Sequence, residues 1–252
     1  MTALFVGLSA LFGVVFGGVL SRLAYALPRG EMREVFAPRC RSCGRKLPAK
    51  YMIPLAGAFL IAFRCPHCKE KQGITPLISE VLFSAVCALL ALVFGVSYLF
   101  FEYVVLAAVL LVLSLIDLDI KEVLHGLLFV ILALGVMTFV FSFFSFSLSG
   151  TVWWEHLVGA FVISLPLFLL MMFTGGVGGG DVKLMFCLGL LLGYKLTLVA
   201  FFFGIIIAAL CAVVLRICFG KGGKYQLPLV PFLSLGAVIA LLCGNAIISA
   251  IF

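Results

Sequence analysis

Long runs of apolar residues, each broken by a short polar or glycine-rich stretch, set the rhythm of this chain. They fall at about 3–26, 76–98, 102–118, 123–146, 155–173, 182–194, 196–219 and 227–251. Apart from the short sixth, each is close to the ~20 residues that a helix needs to cross a bilayer. None shows the alternation of a β-barrel wall, and in lipid a helix satisfies its own backbone groups. The pattern predicts an all-α integral membrane protein with about eight transmembrane helices. One long departure, residues 27–75, is rich in charge and proline and predicts a small insertion between helices 1 and 2. The chain then divides into a first helix (1–26), the insertion (27–75) and a seven-helix membrane region (76–252).

Composition agrees with the pattern: 65% of the 252 residues are hydrophobic and 11% charged. A soluble domain of this length could not hide so much apolar surface. The net charge of +7 raises the question of a nucleic-acid partner, which its distribution answers. With the N-terminus outside, every Lys and Arg except Lys195 lies in an inward connection or at a helix end beside one. That asymmetry is the positive-inside rule, so the charge sets topology and no nucleic acid is expected. Arg29, Arg33, Arg39, Arg41 and Arg45 also suit anionic lipid headgroups. Ala24-Tyr25-Ala26 resembles a signal-peptidase site, but Arg22 and Arg29 follow the apolar run instead of preceding it. A retained anchor is expected.

The insertion carries Cys40-Arg41-Ser42-Cys43 and Cys65-Pro66-His67-Cys68. Two such knuckles can offer four thiolates to one tetrahedral Zn²⁺. A region this small has little core, and a metal would supply folding energy. Two disulfides or a redox pair are the alternatives, although the expected cytosolic side disfavours disulfides. His67 is an alternative fourth ligand. Cys87, Cys187, Cys211, Cys218 and Cys243 lack ligand spacing and read as packing residues.

The acidic residues are few. Glu31, Glu34 and Glu70 solvate the insertion, and Glu102 and Glu155 mark outward helix ends. Glu80 stands one turn into the second span, where an acid faces protein or water; a hydrogen bond back to the insertion and a functional role are equally open. Asp117, Asp119 and Glu122 follow the third span, and Asp181 opens the sixth, just behind five glycines within Gly175–Gly180. By this topology Asp117 and Asp181 share one membrane face. Two carboxyls brought close share a proton, so that one serves as base toward water and the other polarises a carbonyl. The alternative reading makes them boundary charges paired with Lys121 and Lys183.

These residues resemble a known family. Gly178-Gly179-Gly180-Asp181 matches the G-x-G-D signature of membrane aspartic proteases. Its pairing with Ile116-Asp117, the run Val182-Lys183-Leu184 with Leu188-Gly189 and Leu192-Gly193, the two knuckles, and Thr75-Pro76-Leu77-Ile78-Ser79-Glu80 together resemble the type IV prepilin peptidase family. The resemblance spans nearly the whole chain. It implies an enzyme of the bacterial inner membrane that removes the basic leader of type IV prepilins or pseudopilins after a glycine, at the cytosolic face. It further implies N-methylation of the new terminus with S-adenosylmethionine, associated with the insertion. By position it makes Asp117 and Asp181 the catalytic pair and Asp119, Gly178 and Gly180 supporting residues. Glu80 is also supporting, Lys183 either orients the substrate or anchors its helix, and Cys40, Cys43, Cys65 and Cys68 hold structural zinc. Leu124-His125 stands where the family usually has proline, and Tyr51-Met52 where an acid or Asn commonly precedes Ile-Pro, in the part tied to methyl transfer. The rival readings are another G-x-G-D intramembrane protease and a proton-coupled transporter, whose acids would lie nearer mid-membrane.

Overall fold

The computed structural model describes residues 2–35, 40, 43–47, 53, 64–65, 67–70, 73–144, 152–219 and 227–251. Tyr51, Met52 and Pro54, several insertion charges (Arg39, Arg41, Lys50, Lys71) and the connections 145–151 and 220–226 lie outside them. The described residues form eight α-helices and no β-strand: α1 (Thr2–Arg29), α2 (Thr75–Phe94), α3 (Tyr98–Ile120), α4 (His125–Phe143), α5 (Trp153–Val162), α6 (Ser164–Thr174), α7 (Gly179–Phe219) and α8 (Val230–Ile251). A short 3-10 turn, Met32–Val35, follows α1.

Six helical stretches are long and apolar enough to cross a membrane, counting Trp153–Thr174 as one, and Val230–Gly244 is a shorter apolar helix. The sixth of them, α7, is two spans in sequence terms. It breaks at Gly193, whose φ of 76° and ψ of 167° are non-helical. A positive φ is open to glycine at little cost, so the break falls at that residue, two positions before the expected boundary between 194 and 196. The expected span 155–173 is likewise two helices, α5 and α6. Pro166 has no N–H to give the carbonyl of Val162, and the ladder is interrupted there. Side chains such as Phe173 and Ile217 are largely exposed, as lipid-facing positions of a multi-pass membrane protein should be.

The chain forms two compact units, residues 1–115 and 116–252. In the first, α1 packs on α2 through small residues. A Cβ on Gly13 would lie 2.5 Å from the Cα of Ser84, and one on Gly17 2.6 Å from that of Glu80, so only glycine permits this approach. The Ser79 hydroxyl donates to the Gly17 carbonyl (3.1 Å) and that of Ser84 to Ala10 (2.9 Å). In the second, α7 packs against α4, α5, α6 and α8. Gly159 of α5 and Gly189 of α7 meet backbone to backbone, with no room for a Cβ on either.

One expectation about the second unit is corrected. Glu155 is not a solvated helix end but is buried, with Oε1 3.1 Å from Lys195 Nζ. His156 is 1% exposed; its Nδ1 lies 2.9 Å from the Leu190 carbonyl and its Nε2 3.3 Å from the Ser142 hydroxyl. Both sit against the end of the first arm of α7, where the break at Gly193 leaves carbonyls without helical partners. In the first unit Glu102, also expected to be solvated, is buried.

Candidate active site and metal centre

The third helix ends in a run of small consequences of its sequence. Lys121 takes a positive φ of 56°, and its N–H closes the last turn on the Asp117 carbonyl (3.0 Å). The chain then passes through exposed Glu122 and half-buried Val123 and Leu124 into α4. The Asp117 side chain is buried. Its Oδ2 accepts a hydrogen bond from the backbone N–H of Val230 (3.1 Å), the first residue of α8. The leading N–H groups of a helix have no partner within it and carry partial positive charge. Pro228 and Pro231 bracket this start, and proline is at home in a first helical turn. Sequence reasoning missed Val230, because a backbone donor leaves no side-chain signature; the two prolines were the available signal.

Asp181 comes from the glycine-rich turn. Gly175, at φ 62°, ends α6 in the left-handed conformation, and its N–H bonds the Met171 carbonyl (3.0 Å). The helix stop requires this glycine, since the left-handed conformation costs it little. Asp181 then stands in the first turn of α7, its N–H on the Gly178 carbonyl (3.1 Å). Its carboxyl folds over Gly178, where a Cβ would lie 3.1 Å from Oδ2. Gly180 faces the segment that follows Asp117. A Cβ there would sit 2.6 Å from the Cβ of Val123. The missing side chain therefore lets the connection after α3 press onto the start of α7. The two carboxyls, 64 positions apart in sequence, come within electrostatic reach of each other.

The remaining candidates are placed less centrally. Asp119 is exposed at the end of α3. Lys183 is exposed and bonds the imidazole of His125, Nζ to Nε2 2.8 Å. A lysine ammonium has only donors, so the ring nitrogen accepts. Glu80 belongs to the first unit, buried on α2, with its carboxyl resting against Gly18 of α1. Arg22 reaches the same glycine, Nε to the Gly18 carbonyl 3.0 Å, and extends to the Val35 carbonyl at 3.4 Å.

In the insertion the two knuckles take the same form. In each, the backbone N–H four residues on returns to the first cysteine's carbonyl: Gly44 to Cys40 and Lys69 to Cys65, both 2.9 Å. Gly44 and Lys69 both have positive φ, at 68° and 58°. The four sulfurs lie within 4.8 Å of one another, with Cys40–Cys68 at 3.6 Å and Cys43–Cys65 at 3.9 Å. A tetrahedral zinc with bonds of about 2.3 Å sets its sulfurs about 3.8 Å apart, whereas a disulfide needs about 2.05 Å. The donor set therefore fits a zinc ion. His67 instead lies beside Arg45 (Nδ1 to Nη1, 3.4 Å). The Cys68 thiol is pushed up to about 12. A backbone hydrogen bond at Glu70 opposes the rise, and desolvation with the neighbouring thiols of Cys40, Cys65 and Cys43 drives it.

This arrangement can be set beside known proteins. The model of the type IV leader peptidase family matches residues 104–213, and that of the bacterial peptidase A24 N-terminal domain matches residues 11–94. Over these two regions the chain is similar to the type IV leader peptidase family. It is 29% identical over 245 residues to the prepilin leader peptidase/N-methyltransferase of Bacillus subtilis, covering 95% of this chain and 94% of that one. The protein of the same name from Stutzerimonas stutzeri is 29% identical over 227 residues, covering 88% and 78%. That from Pseudomonas aeruginosa is 27% identical over 273 residues, covering 96% and 92%. No solved structure gives a significant match. The chain is accordingly a membrane-embedded peptidase. The region 104–213 contains both aspartates, and the region 11–94 contains both knuckles and Glu80.

Proposed function

We propose that this peptidase is an aspartic endopeptidase whose catalytic groups are Asp117 and Asp181. The supporting observation is the pairing of two carboxyls from separate helix ends. One is tethered by the α8 N-terminus, and the other is folded over a glycine turn that packs on the first one's connection. In such a pair an ionised carboxyl takes a proton from water as that water attacks the scissile carbonyl. The protonated partner gives the carbonyl oxygen a hydrogen bond and later returns a proton to the departing amine. Gly178 and Gly180 shape the turn, and Asp119 supports it from the exposed rim.

The substrates are type IV prepilins or pseudopilins, as the relatives' names support. The enzyme works in the bacterial inner membrane with its N-terminus outside and its acids at the cytosolic face. This orientation rests on the distribution of Lys and Arg, 17 residues of which only Lys195 lies outside. The leader is removed after a glycine, and the new terminus is then methylated from S-adenosylmethionine. Methylation rests on the relatives' names and the knuckle-bearing insertion. Zinc held by Cys40, Cys43, Cys65 and Cys68 would give the insertion its fold.

The test is a reconstituted reaction. Purified enzyme in liposomes is given the prepilin of its own organism, with and without S-adenosylmethionine, and the products are weighed. The expected products are a leader-free pilin, and one methyl group heavier when the methyl donor is present. An intact precursor would reject the peptidase assignment to this substrate class. Cleavage without the methyl increment would reject only the second activity.

A further inference from the structure

A groove of about 510 Å³ lies among α4, α5, α6 and α7 in the second unit, and neither aspartate lines it. Asp181 and Lys183, two positions apart at the start of α7, point about 200° apart around that helix. Only Lys183 borders the groove. Buried Leu128 and Cys187 form its floor, while Phe129, Phe161, Leu165 and Phe168 are exposed along it. These residues belong to stretches long and apolar enough to cross a membrane, so the open side of the groove faces lipid. From His125 to Leu132 the lining follows α4 for about 10 Å, at 1.5 Å per residue. That is most of one leaflet's half of the ~30 Å hydrocarbon core.

Charge marks one end. His125 opens α4, and Lys183 stands in the first turns of α7; the two meet at the mouth of the groove, Nζ to Nε2 2.8 Å. Lys183 donates to that nitrogen, so the neutral ring carries its proton on Nδ1 and keeps a donor there. The ammonium keeps two donors more. Among the described residues no Asp or Glu lines the groove, and the one partner of Lys183 is the uncharged His125 ring. An uncompensated cation therefore stands where an apolar groove meets the interface. We infer that the groove binds an anionic phospholipid, with its phosphate on Lys183 and His125 and one acyl chain along the phenylalanines. Basic pockets between membrane helices suit headgroup phosphates in this way. The inference does not depend on the peptidase reading. Lys183, left by the sequence between orienting substrate and anchoring its helix, anchors it through a lipid.

Photolabelling of the intact chain tests this. The protein is placed in phosphatidylcholine nanodiscs with phosphatidylglycerol that carries a diazirine on one acyl chain, and the adducts are mapped by peptide mass spectrometry. The expected adducts fall on Leu128–Leu132 and Phe161–Phe168, and unlabelled phosphatidylglycerol displaces them while added phosphatidylcholine does not. Lys183→Gln should need about fivefold more probe for half-maximal labelling, the effect of one lysine at an anionic surface. Lys183→Arg, which keeps the charge, and Arg216→Gln, which removes an exposed cation from the last turn of α7 outside the groove, should label like wild type. Equal displacement by phosphatidylcholine overturns the inference, because the groove then takes any acyl chain. So does unchanged labelling of Lys183→Gln, or an equal loss in Arg216→Gln. The displacement arm uses wild type alone and decides the matter even where a variant fails to fold.

Discussion

Replacing Gly180 with alanine tests how the two halves of the site are held together. The added Cβ would lie 2.6 Å from Val123 Cβ and 2.5 Å from its Cγ2, against the 3.4–4 Å of ordinary contact. Because Val123 Cβ is attached directly to the backbone, no rotamer change relieves the overlap. The segment from Lys121 to Leu124, or the start of α7, must move by close to 1 Å. Overpacking of this kind costs about 1–3 kcal/mol in stability, and a misplacement of 1 Å at a reacting centre costs about 100-fold in rate. Gly180→Ala should therefore lower kcat/KM for prepilin cleavage by about two orders of magnitude while the protein still inserts and purifies. Val123→Ala removes the close Cγ2 but not Cβ, so the double variant should recover about tenfold of the loss. Gly179→Ala is the control, since its Cβ would meet only the Met171 sulfur at an ordinary 3.6 Å. It should stay within about threefold of wild type, in line with a substitution away from any close contact. The assay is initial-rate leader removal in liposomes, with thermal melting followed in parallel. Full activity of Gly180→Ala, or equal loss in Gly179→Ala, would refute the claim that a close approach at Gly180 aligns the site.

Three other expectations follow from particular contacts. Val230→Pro removes the N–H that Asp117 accepts but suits a first helical turn, so activity should fall about tenfold with little change in melting temperature, measured on the same liposomes. Gly193→Ala has room for its Cβ, 3.8 Å from the Glu155 carbonyl, but not the backbone angle; it should cost about 1–3 kcal/mol in thermal or denaturant unfolding. Zinc measured by elemental analysis should be one per chain and lost in Cys65→Ser. Because binding must displace protons from thiols such as Cys68, raised to about 12, apparent zinc affinity should weaken as pH falls, read by competition with a chelator.

Much of the architecture was legible because lipid demands it. Apolar runs of spanning length and a sided charge distribution leave few alternatives to a helical bundle. The breaks at Gly193 and before Pro166 also follow residue chemistry, although the second was read as one continuous span. The aspartates and the four cysteines stand out because both chemistries need rare residue types at short, recognisable spacings. What stayed hidden were partners far away in sequence. Glu155 reads as a solvated end until Lys195, 40 residues on, is seen beside it. His156 shows no role until the broken helix presents the Leu190 carbonyl. The Val230 amide carries no side-chain mark, and the link between Lys183 and His125 spans 58 residues. Gly180 was singled out by its motif, but the reason for it, Val123, lies on another helix connection.

The central claim is that Asp117 and Asp181 together perform the cleavage. It is tested most directly by single-turnover leader removal with Asp117→Asn and Asp181→Asn, each checked for unchanged melting and zinc content. The account predicts that each variant alone loses at least about 1,000-fold in rate, and that the double variant loses little more, as expected for groups that act as one unit. Cleavage by either variant within about tenfold of wild type would contradict it.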